Sequence, residues 1–230
     1  MKQRFAALIT GTAVSLVPCL ADAHVVIASG YAYANTSQEI AFGVGHGCAG
    51  SDTYRVRIEI PAGVTAVRAQ TSDFGRATVE QDAAKNVIAV TWQKAEADAL
   101  DSDSNYYKLL LRLKVPNAPF STIIFPTHQT CLAADGTFTT VDWVAETETD
   151  GGASPAPKLT IVPARRTGWN KLAVPAAISD LSQFFDDAQI VWKDNQAFSA
   201  NPATVELIKG TSGVEELGAL AAGDEVWVKY

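Results

Sequence analysis

The feature that most restricts the fold is a two-residue alternation of apolar side chains with small or polar ones, repeated in short segments through the first two thirds of the chain. Ile40, Phe42 and Val44 form one such row. Val56, Ile58 and Ile60 alternate with Arg55, Arg57 and Glu59, and Ile88, Val90 and Trp92 repeat the pattern. Leu109, Leu111, Leu113 and Val115 do so again against Lys108, Arg112 and Lys114. A period of two sends one row into a core and the other into water, which describes half-buried strands rather than helices. Turn residues separate the rows, so residues 24–163 read as a mainly β domain built as a sandwich. Composition agrees: 47% hydrophobic and 19% charged residues exclude a disordered chain. A pI near 4.9, with Arg55, Arg57 and Arg68 scattered, excludes a surface that tracks nucleic-acid phosphates.

The chain opens with Met1-Lys2-Gln3-Arg4, an apolar run from Phe5 to Leu20, and Ala21-Asp22-Ala23. A basic start, a short apolar stretch and an Ala-x-Ala end describe a secretory signal peptide over residues 1–23. Lipoprotein processing at Cys19 is the rival reading, but Pro18 stands where a small residue is expected. Cleavage after Ala23 makes His24 the new N-terminus. The expected location is periplasmic or extracytoplasmic, with no membrane span in the mature protein. Export leaves Cys48 and Cys131, which in an oxidising compartment most simply form one disulfide. Two thiolates on a soft metal are the alternative.

A break falls between Pro163 and Thr167, after the loop Asp150–Pro157 and the strand-like Leu159, Ile161 and Val162. Residues 168–230 hold three of the five Trp: Trp169, Trp192 and Trp227. Ser179 is placed to cap a short helix carrying Leu181, Phe184 and Phe185, while Ile190–Trp192 and Val226–Val228 read as strands. The expectation is a small α+β module with an aromatic core.

Three His confine any imidazole chemistry to His24, His46 and His128. A free N-terminal His offers its α-amine and ring nitrogen to one metal, and such a pair of nitrogens favours Cu(II) among the divalent ions. His46 and His128 each lie close to a cysteine, in Gly45-His46-Gly47-Cys48 and His128-Gln129-Thr130-Cys131. The bland reading of each is a structural His bonded to a loop carbonyl. Asp101-Ser102-Asp103 starts like an EF-hand loop, but Tyr106 and Arg112 stand where Gly and Glu are required. The glycines Gly43, Gly45 and Gly47 lack the context of a nucleotide site.

His24-Val25-Val26-Ile27, Gly45-His46-Gly47-Cys48-Ala49-Gly50-Ser51-Asp52-Thr53, Ile60-Pro61-Ala62-Gly63-Val64, Thr91-Trp92, Phe125-Pro126 with Gln129 and Cys131, and Trp143 together resemble the YcnI-like family. The resemblance covers His24 to about Val162. It implies an exported immunoglobulin-like β-sandwich that binds Cu(II) through the amine and ring of His24. It further implies Trp143 close to the metal, a nearby carboxylate ligand, and a Cys48–Cys131 bridge. Counted from His24, the family's acidic residue falls on Tyr31, a poor ligand near neutral pH unless its pKa is lowered. The corresponding expectation is that His46 or His128 replaces the missing carboxylate.

These readings converge on a non-enzymatic copper protein for storage, delivery or homeostasis, with a copper importer or an exported copper chaperone as partner. A metal-free structural or adhesive sandwich is the alternative. A copper-dependent oxidative enzyme is a third reading, needing a second His beside His24.

Overall fold

The structure, a computed structural model, describes residues 24–147 and 154–230. The expected signal peptide lies outside the described residues, as do residues 150–153 of the expected Asp150–Pro157 loop. In chain order the first part comprises β1 (Val25–Ile27), β2 (Ala32–Tyr33), β3 (Ser37–Val44), β4 (Asp52–Glu59), β5 (Thr65–Ala69), β6 (Arg76–Gln81) and β7 (Val87–Gln93). It continues with β8 (Tyr107–Lys114), β9 (Ser121–Ile124), β10 (Thr127–Leu132), β11 (Phe138–Ala145), β12 (Ser154–Pro155) and β13 (Lys158–Val162). The second part comprises β14 (Trp169–Ala173), α1 (Ser182–Phe185), β15 (Ile190–Lys193), β16 (Gln196–Phe198), α2 (Pro202–Gly210), β17 (Glu215–Glu216) and β18 (Glu225–Lys229).

Two sheets face each other, one ordered β1-β3-β8-β5 and the other β12-β11-β10-β4-β7-β6. Their inward rows are the alternating residues of the sequence. Ile40, Phe42, Leu109, Leu111 and Leu113 of the first sheet meet Val56, Ile58, Val90, Trp92 and Trp143 of the second, all 1% exposed or less. Phe42 and Phe125 pack edge to face at 5.2 Å, which joins the layers. Ile88 departs from the expected row and is 44% exposed, because the β6–β7 register shifts there, from Glu80↔Ala89 to Gln81↔Val87, and Val87 packs against the core instead. A small sheet, β2-β13-β9, closes one end of the sandwich.

The second part is a five-stranded sheet, ordered β14-β18-β15-β16-β17, with two short helices. Its core is Phe184, Phe185, Leu181, Val191, Val226 and Val228, continuous with Phe120 and Val162 of the sandwich. The aromatic core expected here is therefore phenylalanine; Trp169 and Trp227 stay half exposed. The helix start also differs from expectation. The Asp180 carboxylate, not Ser179, accepts from the Ser182 amide at 3.0 Å. Asn201 caps α2 by accepting from Ala203 N, with Pro202 at the first helical position; this helix was not among the expected elements.

One cation seals the junction between the two parts. The Arg165 guanidinium lies over the rings of Tyr31, Tyr33 and Tyr230, at 4.9, 5.2 and 4.3 Å. It pairs with Asp187, which also accepts from the Tyr31 hydroxyl at 2.9 Å. Burial works to raise the Asp187 carboxyl, but the hydrogen bonds from Arg165 and Tyr31 outweigh it and hold it below the ordinary carboxylate range. Burial pushes the Tyr230 phenol up to about 12.

A carboxyl whose folded pKa is depressed contributes stability above its unfolded pKa of about 3.9 and loses it as pH falls through the folded value. Asp187→Asn is expected to lower stability at neutral pH, leaving Arg165 buried without its counter-charge, and to flatten the loss of stability as pH falls below about 4. Urea denaturation of both proteins across that range checks it.

Candidate metal centre

The candidate residues are positioned by the strand parity of β10. Thr127 and Gln129 are fully buried, so their side chains point between the sheets and His128 points outward. Gln129 is the hub of the inner side. Its amide nitrogen donates to the His46 carbonyl and to Thr53 Oγ1, both at 2.8 Å. Its amide oxygen accepts from Trp143 Nε1 at 3.1 Å. One buried side chain thus ties β10 to β4, to β11 and to the loop that carries His46.

That loop is held twice more. Cys48 and Cys131 form the disulfide, with Cα atoms 5.7 Å apart. Cys48 to Ser51 make a tight turn closed by reciprocal backbone hydrogen bonds of 3.1 and 2.9 Å. Ala49 and Gly50 both take positive φ there, at 49° and 89°. A side chain at Gly47 would meet the Ser51 carbonyl oxygen at 1.7 Å, so only glycine lets the loop close.

His24 joins this cluster from the other sheet. β1 pairs with β3 in the register Val25↔Val44, and continuing it by one residue sets His24 against Gly45, next to His46. The His24 ring centroid is 5.3 Å from that of Trp143, with the planes tilted 44°. Trp143 is 1% exposed, so it serves the core and carries His24 on its ring at the same time. His46 Nδ1 is 2.8 Å from the Gly47 carbonyl and 3.7 Å from Asp103 Oδ2. That carbonyl fixes the proton on Nδ1 and leaves the lone pair on Nε2. His46 Nε2 is buried and has no hydrogen-bond partner among the described residues.

Asp103 reaches His46 because its loop is anchored below. Asp52, fully buried, accepts from Lys94 Nζ at 2.5 Å, Tyr107 Oη at 2.7 Å and the Leu100 amide at 2.9 Å. The Lys94 ammonium also lies 4.2 Å from the Tyr107 ring centre. The sequence reading weighed Asp101–Asp103 as an EF-hand start and missed both the Asp103 contact with His46 and the Asp52 anchor. The anchor's signal was available only weakly, as an Asp at the start of an apolar strand.

The other candidates go elsewhere. His128 Nδ1 meets Asp142 Oδ1 at 2.6 Å and its Nε2 meets Glu59 Oε1 at 3.4 Å, on the outer face of the six-stranded sheet. Glu59 is held below the ordinary carboxylate range first by Arg57 and then, against its burial, by His128. The structure therefore does not bring His128 to His24, because adjacent residues of one strand face opposite ways. Tyr31 is committed to the junction. Its phenol is pushed up by burial and by hydrogen bonding with Tyr33 and Asp187, the opposite of what a phenolate ligand requires. Among the described residues, no three His, Cys, Asp or Glu side chains form a ready cluster for a metal. A hollow of about 620 Å³ opens beside β5 and β6 and includes none of the candidates.

Two facing sheets, antiparallel except where β12 joins β11, a buried Trp and a disulfide from the loop after β3 to β10 define an immunoglobulin-like sandwich with a His-bearing edge. The chain belongs to the family described as a domain of unknown function, DUF1775, the YcnI-like family, which it matches over residues 24–161. A crystal structure of an uncharacterized protein from Nocardia farcinica, reported as an immunoglobulin-like fold, is similar at 22% identity with a TM-score of 0.50. The likeness covers 60% of this chain and 98% of that one. No curated protein matches the chain.

Two measurements test the staple. Reducing the disulfide, which closes a loop of 83 residues' separation, is expected to lower stability by about 4–5 kcal/mol in urea titrations with and without reductant. Gln129→Leu leaves Trp143 Nε1 and the His46 carbonyl unpaired in the interior and is expected to cost about 2–3 kcal/mol, with a changed near-ultraviolet signal from Trp143.

Proposed function

We propose that the protein is an exported Cu(II) carrier, serving copper storage, delivery or homeostasis outside the cytoplasm, and that copper is its cargo rather than a catalytic cofactor. The ligands in this reading are the α-amine and ring nitrogen of His24, freed by removal of residues 1–23, and Nε2 of His46. The observation that carries it is the buried, unpartnered His46 Nε2 with its proton directed to the Gly47 carbonyl. A lone pair held dry and unused, next to the residue that becomes the N-terminus, is a nitrogen donor lacking only its acceptor.

The donor set suits the ion. Imidazole and amine nitrogens favour Cu(II) over the other divalent first-row metals. Asp103, near His46 Nδ1, acts as an outer partner that orients the ring. Trp143 supplies a wall beside His24 that narrows access by water. His128 takes no part. An edge site with a chain terminus as ligand can open by moving a few residues, as a carrier that hands its metal to an importer or chaperone must. The membership in the YcnI-like family and the disulfide, at home in an oxidising compartment, support the reading.

Cu(II) electron paramagnetic resonance tests it, on protein beginning at His24 and on the same protein with one Gly added ahead. One equivalent is expected to give a nitrogen-rich signal that the extra Gly abolishes. His46→Ala is expected to remove one nitrogen from the hyperfine pattern, and His128→Ala to leave it unchanged. Equal binding by both N-terminal forms overturns the amine as ligand. Binding by neither favours the metal-free structural sandwich.

A further inference from the structure

The second part of the chain keeps its three Trp out of its own core. Trp192 on β15 stands directly opposite Trp227 on β18. Trp169 on β14 pairs with Lys229, two residues along β18 from Trp227 and on the same face. Strand parity therefore lines all three indoles on the outer face of the five-stranded sheet. Trp169 is 52% exposed and Trp227 50%. None of the three rings stacks on another; together with Asp194 they surround a shallow hollow of about 460 Å³. Exposed Trp in this number is costly for a soluble surface unless something covers it.

Charge selects what covers it. Asp194, at the turn between β15 and β16 with φ +52°, has no hydrogen bond or ion pair among the described residues. The neighbouring lysines are already neutralised: Lys171 pairs with Glu225 at 2.8 Å and Lys193 with Asp224 at 2.6 Å. Lys229 lies in the row of Trp169 and Ile190, at the end away from Asp194. From residue 168 to 230 there are four lysines, no arginine, and nine carboxylates, so the whole module favours a cation. Indole faces attract cations through their quadrupole, most strongly those too weakly hydrated to prefer water.

We propose that this hollow binds a quaternary ammonium group, with the methylated cation against Trp192 and Trp227 and its charge balanced by Asp194. The site is independent of the copper reading, since it shares no residue with His24, His46 or Trp143. A free solute and a choline lipid headgroup both carry such a group; the chemistry recognised is the same.

Choline chloride titrated into the whole protein, followed by the indole N–H resonances, tests the site. The signals of Trp169, Trp192 and Trp227 are expected to move saturably while those of buried Trp92 and Trp143 stay fixed. 3,3-Dimethylbutan-1-ol, the uncharged isostere, and sodium chloride at equal ionic strength are expected to move none. Trp227→Ala and Asp194→Asn should each weaken binding about three- to five-fold. Both positions are exposed, and an unchanged melting temperature confirms that the fold survives. Co-sedimentation with phosphatidylcholine vesicles, competed by choline, would assign the headgroup as source; choline shifts without co-sedimentation would assign a free solute. The proposal is overturned by equal shifts with the isostere, by unchanged affinity in Asp194→Asn, or by saturable shifts with a neutral glucan oligosaccharide and none with choline.

Discussion

The sandwich edge is organised around the side-chain amide of Gln129. A fully buried amide must find partners for its donors and its acceptor or the fold carries a large desolvation penalty. Gln129 meets that demand by joining Trp143, Thr53 and the His46 carbonyl. Each partner is then fixed for a second purpose. Trp143 presents its ring to His24, and the His46 loop is drawn against β10, where the disulfide closes it. The same parity that turns Gln129 inward turns His128 outward, to Asp142 and Glu59 on the far side of the sheet.

On the outer face His128 has another employment. Asp142, His128, Arg57, Glu59 and Glu80 form a charged ladder across four strands. Arg57 holds both Glu59 and Glu80 below the ordinary carboxylate range. Such a ladder gives a wide, flat sheet a wet face without exposing apolar rows. On the inner side, the buried Asp52 with Lys94 and Tyr107 steadies the loop that delivers Asp103. Removing either charge alone would strand the other in the interior.

The C-terminal module explains the fate of Tyr31. Once residues 168–230 pack against the sandwich end, a phenol there can donate to Asp187 and accept the face of Arg165. A carboxylate at that position would sit beside Asp187 and oppose it. Tyr31, at the position that the resemblance assigned to an acidic ligand, is thus committed to the junction with the module. The shared apolar cluster of Phe120, Val162, Phe184 and Phe185 makes the two parts one packed body.

Local periodicity determined the strands and the core: Ile40, Phe42, Val56, Ile58, Trp92, Leu109, Leu111 and Leu113 are buried where the alternation put them, because one face of a pleat is all that water leaves to the core. The cysteine pair and the position of His24 after an Ala-x-Ala were also legible, since both are one-dimensional signals. The outward turn of His128, away from the Gln129 cluster that Trp143 shares with His24, was not, because it depends on the parity of β10, which is set by pairings between strands far apart in sequence. The outward turn of Trp169, Trp192 and Trp227 was equally hidden. A Trp in an alternating strand reads the same from either face, and only the packing of Phe184 and Phe185 beneath the sheet decides which side is inside.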